Sequence, residues 1–521
     1  MHARPNVVIV LADDLGFSDI APYGGEIDTP HLTRLAGRGV RMESYYVTPR
    51  CSPSRAALMT GHHPHSVGIG VLTTNNGPKG YPGSLTTEVP TIAERLKEHG
   101  YRTGLFGKWH LSSELNTPCE TWPTRRGFDE FRGMLQGSSG FFNPPLMAGE
   151  ARVTNEEMPE DFYLTDDISE HAAEFIKRQA GTSTPFLAML TYTAPHWPLH
   201  AREGEIAKYR ERFRGGWTGM PEKRLAGLHQ KGLLTEIDSV HHEQDLPEWG
   251  EDAAWEVERM AVYAAQVECM DQGIGHVLDT LEEAGIEDDT IVMFFSDNGG
   301  CAEELPVHSP SFPKATEPRT TRDGRPVHFG NDPAVMPGPA DTFQSYGETW
   351  ATVSNTPFRK WKRWVHEGGI SSPFIVSWPA GGIPTGGEVS CAVGHVIDIV
   401  PTVMGILGVE GVGEGENLID AWRSPVTEGG PERTICWEHI GNSALRRGRW
   451  KLVREWGSPW ELYDLVADRT ESRNLVAEHP ELTEDLKREY QAWCQEHGVI
   501  DWQDMLDDHI ARGSSPEHAT G

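Results

Sequence analysis

Three groups of residues in this chain have types and spacings that carry chemistry. Asp13 and Asp14 follow directly on the apolar run Val7 to Ala12, and Asp297 and Asn298 follow on the run Ile291 to Phe295. Ligands of a parallel sheet bind beyond the carboxyl ends of its strands. Both acidic pairs are therefore expected at one edge of one sheet. Three carboxylates and an amide oxygen make a hard oxygen site suited to Ca²⁺ or Mg²⁺. Taken singly, an Asp after a strand can equally cap the next helix. The third group is Cys51-Ser52-Pro53-Ser54-Arg55, which opens a short helix ended by Gly61. A Cys there lies at the positive end of the helix, where backbone N–H groups hold anions. Arg55, one turn on, projects back to the same place.

The elements that must position these groups alternate between strands and helices. Strands are expected at residues 5–12, 40–47, 101–106, 186–193, 290–296 and 373–378. Helices are expected at 29–39 (Thr29 as N-cap, Pro30 in the first turn), 52–60, 88–99, 165–179, 253–284 and 396–408. Strands nearly continuous in apolar content, alternating with helices, predict an α/β fold. Its core is a large mixed, mainly parallel sheet sandwiched by helices. From about residue 432 the texture changes to short strands at 433–440, 443–454 and 460–464 and a helix at 480–496. The expected organisation is a catalytic α/β domain over 1–430, a smaller C-terminal α+β unit over 431–500 and a tail over 501–521. Residues 203–250 and 302–350, polar and rich in Gly, Pro and Trp, read as insertions that shape a pocket or an interface.

Composition excludes several classes. The 521 residues carry a formal net charge of −31, which argues against a nucleic-acid partner, since that would need a basic face. No apolar stretch approaches the roughly 18 residues of a membrane span, so no membrane partner is expected. The seven cysteines show neither a CxxC pair nor a zinc spacing. With no signal-like segment before the first strand, the chain as written is expected to be cytoplasmic, or periplasmic or secreted if a leader has been removed. His62, His63 and His65 read as loop residues rather than a metal cluster, and His241-His242 as solvated. Trp197, Trp217, Trp249, Trp361 and Trp364 could stack on an aryl or sugar ring, with ordinary packing the plainer reading.

The string from Cys51 to Gly61 resembles the signature of type I sulfatases, which begins C-x-P-S-R. The resemblance extends along the chain in the family's order. Gly107-Lys108-Trp109-His110 is similar to its GKWH element, Pro195-His196-Trp197-Pro198 to PHxP, and Asp297-Asn298-Gly299-Gly300 to DNGG. Asn355-Thr356-Pro357-Phe358-Arg359 with Lys362 and Glu367-Gly368-Gly369-Ile370 resembles NTPFRxxK…EGGI, and Trp460-Glu461-Leu462-Tyr463-Asp464 resembles WELYDL. The chain looks most like arylsulfatase-like members of this alkaline phosphatase superfamily. Arg50, where the family often has an apolar residue, and Ser112, where it has Gly, depart from the pattern.

The resemblance implies a sulfuric ester hydrolase. Cys51 would be oxidised to formylglycine, whose hydrated gem-diol supplies the nucleophile. One Ca²⁺ would be held by Asp13, Asp14, Asp297 and Asn298 together with the matured Cys51, and would bind sulfate oxygens as a Lewis acid. Arg55 would hold the gem-diol, and Lys108 and Lys362 would bind sulfate oxygens. His196, with Lys362, would protonate the leaving alcohol, and His110 would take the proton of the second hydroxyl. The implied partners are a small-molecule or saccharide sulfate ester and a maturation enzyme, either formylglycine-generating or radical. Two alternatives stay open: a phosphodiesterase or phosphonate monoester hydrolase of the same superfamily, and a non-catalytic sulfate-ester binding protein.

Overall fold

In strand β1 (Asn6–Asp13), Val7, Ile9 and Leu11 enter one buried cluster while Val8, Val10 and Ala12 enter another. That alternation, with both sides apolar, makes β1 the centre of a sheet covered on both faces. The computed structural model describes residues 4–240, 246–250, 252–307, 319–426 and 432–513. His241, His242 and the end of the expected tail lie outside them.

The further strands are β2 (Val40–Tyr46), β3 (Arg102–Lys108), β4 (Glu130–Met134), β5 (Met147–Ala148), β6 (Ala151–Arg152), β7 (Phe186–Pro195), β8 (Thr290–Ser296), β9 (His328–Phe329), β10 (Thr342–Phe343), β11 (Ser371–Ser377) and β12 (Glu388–His395). Ten of these form one sheet in the order β12-β2-β11-β8-β1-β7-β3-β4-β5-β6, and β9 pairs with β10. β1 runs parallel to β7 and β8, and β3 parallel to β7 and β4. Within the centre β11 alone is reversed, antiparallel to both β2 and β8. The sheet is thus mixed and mainly parallel, as the alternating pattern predicts.

The helices are α1 (Pro30–Gly37), α2 (Cys51–Thr60), α3 (Ile92–Glu98), α4 (Leu164–Ala180), α5 (Glu203–Phe213), α6 (Met220–Gln230), α7 (Ala253–Glu283), α8 (Gly347–Ser354), α9 (Glu367–Ile370), α10 (Ile399–Ile406), α11 (Ile419–Arg423), α12 (Pro480–Glu496) and α13 (Trp502–Ala511). Leu35 of α1, Phe175 of α4 and Ile274 of α7 pack on the face of Val8 and Val10. Ala56 of α2, Leu96 of α3 and Val403 of α10 pack on the face of Val7 and Ile9. A small antiparallel sheet follows, of β13 (Thr434–His439), β14 (Asn442–Arg447), β15 (Trp450–Arg454) and β16 (Glu461–Asp464). α12 covers it through Leu486 and Tyr490.

Several expected boundaries move for local reasons. α3 starts at Ile92 because Thr91 caps it, accepting from the Glu94 N–H while Glu94 accepts from the Thr91 N–H. Thr29 does not cap α1; its hydroxyl accepts from the Ala21 N–H. The expected strand 443–454 is two strands, β14 and β15, broken at Gly448 with φ +57°. The insertion 203–250 contains α5 and α6, whose apolar residues Ile206, Tyr209 and Leu228 join the core. The expected tail contains α13, capped by Asp501 and packed through Trp502 and Met505 beside Val71 and Tyr81.

A buried ion network lies where the small sheet meets the large one. Lys451 Nζ lies 2.8 Å from Glu367 Oε1 and 2.8 Å from Glu471 Oε1, all three side chains being fully buried. Tyr46 donates to Glu367 at 2.8 Å, and Arg469 Nε lies 3.2 Å from the same carboxylate. Removing one member of such a network strands the others without solvent. Lys451→Met is expected to cost about 3–5 kcal/mol, read as a lowered midpoint in urea unfolding.

Candidate functional site

Register creates the site. Ala12 of β1 pairs with Ser296 of β8, so Asp13 and Asp297 emerge side by side, with the Asp297 N–H on the Ala12 carbonyl at 3.1 Å. β7 flanks β1 on the other side and delivers His196 just past its end; β3 comes next and ends in Lys108. Lys362 reaches the same edge because β11 is reversed, so the segment leading into it lies where the neighbouring strands finish. Its N–H donates to the Gly300 carbonyl at 3.0 Å, and the Gly300 N–H donates to Asn355 Oδ1 at 2.9 Å. These contacts join the 297–300 turn to the 355–362 segment.

The charged groups form one closed network. Lys108 Nζ contacts Asp13 Oδ2 at 2.6 Å, and Lys362 Nζ contacts Asp14 Oδ2 at 2.8 Å. Arg55 donates through Nε at 3.0 Å and Nη2 at 2.7 Å to Asp297 Oδ2, and through Nη1 to the Lys108 carbonyl at 2.8 Å. Asn298 Nδ2 donates to Asp14 Oδ1 at 2.7 Å. His196 Nε2 lies 3.4 Å from Asp14 Oδ2, while its Nδ1 meets the Trp197 carbonyl at 2.6 Å. None of these side chains is more than about one-twentieth exposed.

Cys51 is the first residue of α2, a helix buried along its whole length. Thr48 and Ser54 fix its start: the Thr48 N–H donates to Ser54 Oγ at 2.9 Å and the Ser54 N–H to the Arg50 carbonyl at 3.1 Å. Cys51 Sγ lies 3.5 Å from His110 Nδ1. Asp14 (φ +67°) and His110 (φ +54°) both hold left-handed backbone conformations. Such geometry costs of order 1–3 kcal/mol in non-glycine residues and is retained where the surroundings impose it. Gly137 makes room for the His110 ring, because a Cβ there would lie 2.4 Å from Cε1.

Burial sets the proton affinities. Loss of solvent, with Asp297 and Asp14 nearby, pushes the Asp13 carboxyl up to about 7 against the pull of Lys108. Burial acts the same way on Asp14, but His196 and Lys362 outweigh it and hold that carboxyl down at about 2. Burial drives the His196 imidazole down to about 3, so it is neutral at rest.

Two oxygens in this network, Asp13 Oδ1 and Asn298 Oδ1, are buried without a hydrogen-bond partner. A buried acceptor left unsatisfied costs about 1–3 kcal/mol, and hard oxygens in want of a positive partner are what a divalent cation takes. Asp13, Asp14 and His196 each offer a ligand atom within 4.8 Å of the others. The donor set fits a hard divalent cation.

The structure therefore gathers Asp13, Asp14, Arg55, Lys108, His196, Asp297, Asn298 and Lys362 into one network, with Cys51 and His110 paired beside it. Sequence reasoning missed Glu303. Arg50 Nη1 contacts Glu303 Oε1 at 2.6 Å, and Trp197 Nε1 donates to Glu303 Oε2 at 3.0 Å. Burial alone would raise the Glu303 carboxyl, but Arg50, Lys362 and His196 hold it well below the usual range. The unusual Arg50 was the available signal, since an arginine in an apolar position needs a carboxylate. Of the tryptophans, Trp217 and Trp249 pack with Trp350, whereas Trp197 lies against the His196 ring at 4.5 Å between centroids.

The chain is similar to known proteins. The family model described as Sulfatase matches residues 5–409. An uncharacterized sulfatase of Schizosaccharomyces pombe is 32% identical, covering 95% of this chain and 94% of its own. An arylsulfatase of Klebsiella aerogenes is 32% identical over 78% of this chain and 87% of its own. Among solved structures, Ps i-CgsB in complex with k-i-k-neocarrahexaose superposes with a TM-score of 0.68 at 24% identity, over 94% of this chain and 92% of its own.

The raised Asp13 carboxyl has a consequence for stability. Its proton is held more tightly in the folded chain than in the unfolded one, where the value is near 3.8. The stability this contributes is complete below pH 3.8 and is lost as the pH rises through about 7. In chelator-treated protein, Asp13→Asn should flatten the fall in unfolding free energy between pH 5 and pH 8. An unchanged slope in urea titrations would assign the pH dependence elsewhere.

Proposed function

The chain belongs to the sulfatase family and is a sulfuric ester hydrolase; from that premise we propose that it cleaves an aryl or carbohydrate sulfate ester with a nucleophile matured from Cys51 and a bound Ca²⁺. The observation that carries the reading is Cys51 at the buried start of α2, paired with His110 and bordering three carboxylates matched by Arg55, Lys108 and Lys362. Matured to formylglycine and hydrated, Cys51 would offer one hydroxyl to sulfur and a second whose deprotonation re-forms the aldehyde and expels sulfate. Ca²⁺, held by Asp13, Asp14, Asp297 and Asn298, would supply Lewis acidity toward the sulfate oxygens.

The chain's own groups do the rest. Arg55 keeps Asp297 oriented and leaves its positive charge facing the start of α2. Lys108 and Lys362 neutralise Asp13 and Asp14 in the resting site. Once a cation shares those carboxylates, the two ammonium groups are placed to attract sulfate oxygens in a dry, low-dielectric pocket. His110 is within reach of position 51 and is the base for its hydroxyl proton. His196 is neutral at rest; a bound sulfate anion raises its proton affinity, and Lys362 lies across Asp14 from it, so the pair can protonate the departing oxygen. Trp197 and the Arg50–Glu303 pair form the wall beside His196, an indole face next to polar groups. That combination suits a hydroxylated or aromatic ring.

The test is paired steady-state kinetics on a nitrophenyl sulfate and a nitrophenyl phosphonate monoester. The protein is produced with a formylglycine-generating enzyme and assayed with Ca²⁺. Higher kcat/KM on the sulfate is expected, falling to background in Cys51→Ala with the fold intact; preference for the phosphonate would overturn the substrate assignment. A second outcome tests His196. An acid matters most when the leaving oxygen is basic, and general acid catalysis is worth roughly 10²–10⁴-fold. His196→Ala should therefore cost alkyl or sugar sulfates that much in kcat while nitrophenyl sulfate loses far less.

A further inference from the structure

The histidines that follow α2 have no part in the site described above, yet the fold brings two of their segment against a carboxylate and a third histidine from distant positions. His63 (8% exposed), Glu414 and His497 each offer a ligand atom, and the three atoms lie within 4.8 Å of one another. Glu414 Oε1 is 3.6 Å from His497 Nδ1 and 3.0 Å from His62 Nδ1, and Glu414 Oε2 accepts the His63 N–H at 2.7 Å. Tetrahedral bonds of 2.0–2.1 Å place neighbouring ligand atoms about 3.3 Å apart, so the Glu414–His497 spacing needs little adjustment. Two imidazoles and one carboxylate are the ligand types of borderline divalent metals, zinc foremost, and not of Ca²⁺.

The surroundings support the same reading. The Trp493 ring packs at 5.1 Å from His63 and 5.3 Å from His497, an apolar backing that fixes both imidazoles. Behind His63, at 6.2 Å between ring centroids, stands fully buried His395; its Nδ1 accepts from the Ile397 N–H and its Nε2 has no partner. Each ligand arrives on a different segment. His63 follows the helix that carries Cys51. Glu414 belongs to a loop whose N–H donates to the Gly61 carbonyl at 2.7 Å. His497 is the C-cap of α12, the helix that covers the small sheet.

We propose that His63, Glu414 and His497 form a second metal site, selective for Zn²⁺ or a similar borderline divalent ion, with His62 steering the carboxylate and water completing the coordination. Its effect is mechanical: one ion fastens the end of α2 to the C-terminal unit. Nothing in it depends on the reaction at Cys51.

Full-length protein stripped of metal and resaturated with Ca²⁺ is the sample, and Zn²⁺ alone is the probe. Isothermal titration and elemental analysis should find one zinc equivalent bound in the presence of excess Ca²⁺. That equivalent should disappear in His497→Ala and in Glu414→Gln and persist in Asp13→Asn. Zinc should raise the Tm of the parent and of Asp13→Asn, and leave the two ligand variants unmoved. Glu414 and His497 both touch solvent, so these variants should fold; should one fail, the other decides. Absence of zinc binding with Ca²⁺ present, or equal binding by the parent and the ligand variants, would overturn the site.

Discussion

Three carboxylates at one dry sheet edge are the constraint that the rest of this structure answers. The parallel register of β1 and β8 leaves no choice about Asp13 and Asp297, which emerge as neighbours, and Asp14 follows at once. Unpaired, such a cluster would be intolerable, since a buried ion is retained only with compensation. The compensation comes from four places in the chain: Arg55 from α2, Lys108 from the end of β3, Lys362 from ahead of reversed β11, and Asn298 from the turn after β8. The reversal of β11 is what lets a residue preceding a strand join residues that follow strands. The match is nevertheless incomplete, with two oxygens unpartnered and one carboxyl raised to about 7. A structure built only for stability would close that gap, and the open oxygens suit a divalent cation.

Holding position 51 is a second problem, because the nucleophile proposed there must be rigid and still reachable. Every residue of α2 is buried, so the helix cannot shift. Its start is tied by Thr48 and Ser54, and its end turns at Gly61 with φ +74°. Gly413 lies close against that turn, where a Cβ would come within 2.6 Å of the Gly61 carbonyl oxygen. Beyond it, the C-terminal unit closes the arrangement from two sides. Lys451 neutralises Glu367 beneath the large sheet's edge, and Trp502 and Met505 of α13 share a cluster with Cys51, Val71 and Tyr81. The C-terminal unit is thus part of what holds α2 in place.

How much of this was legible in the sequence depends on the range of the interaction. Strands with apolar runs, such as Val7 to Ala12, and acidic residues at their ends announce both the sheet and the ligand edge, because period and position are local facts. The motif segments are legible through the family resemblance instead, and the fold joins two of them, Arg359 of one meeting Tyr463 of another at 3.0 Å. Long-range pairing was not legible. Nothing local to Glu303 shows that it faces Arg50, and nothing local to Glu414 or His497 shows that they meet near His63. α13 is not legible because its apolar residues, Trp502, Met505 and Leu506, are few among acids; Trp502 and Met505 are buried only by what lies across from them. The 443–454 strand was read through Gly448 because the residues on either side of the turn share one alternating pattern.

The formal charge of −31 is at odds with an anionic substrate only until the range of the field is considered. Exposed charges more than about 8 Å apart are screened at physiological salt, so the acidic surface says little to an ester already at the site. The positive groups at the site are Arg55, Lys108 and Lys362, all buried, where water cannot weaken them. At rest Asp14 and Asp297 pair with Lys362 and Arg55, while Asp13, its carboxyl raised to about 7, balances Lys108 only in part. Under the function proposed, a cation that shares those carboxylates would turn the three positive groups toward sulfate. The same carboxylates that make the resting site tolerable to the fold would then make its affinity for an anion depend on a cation.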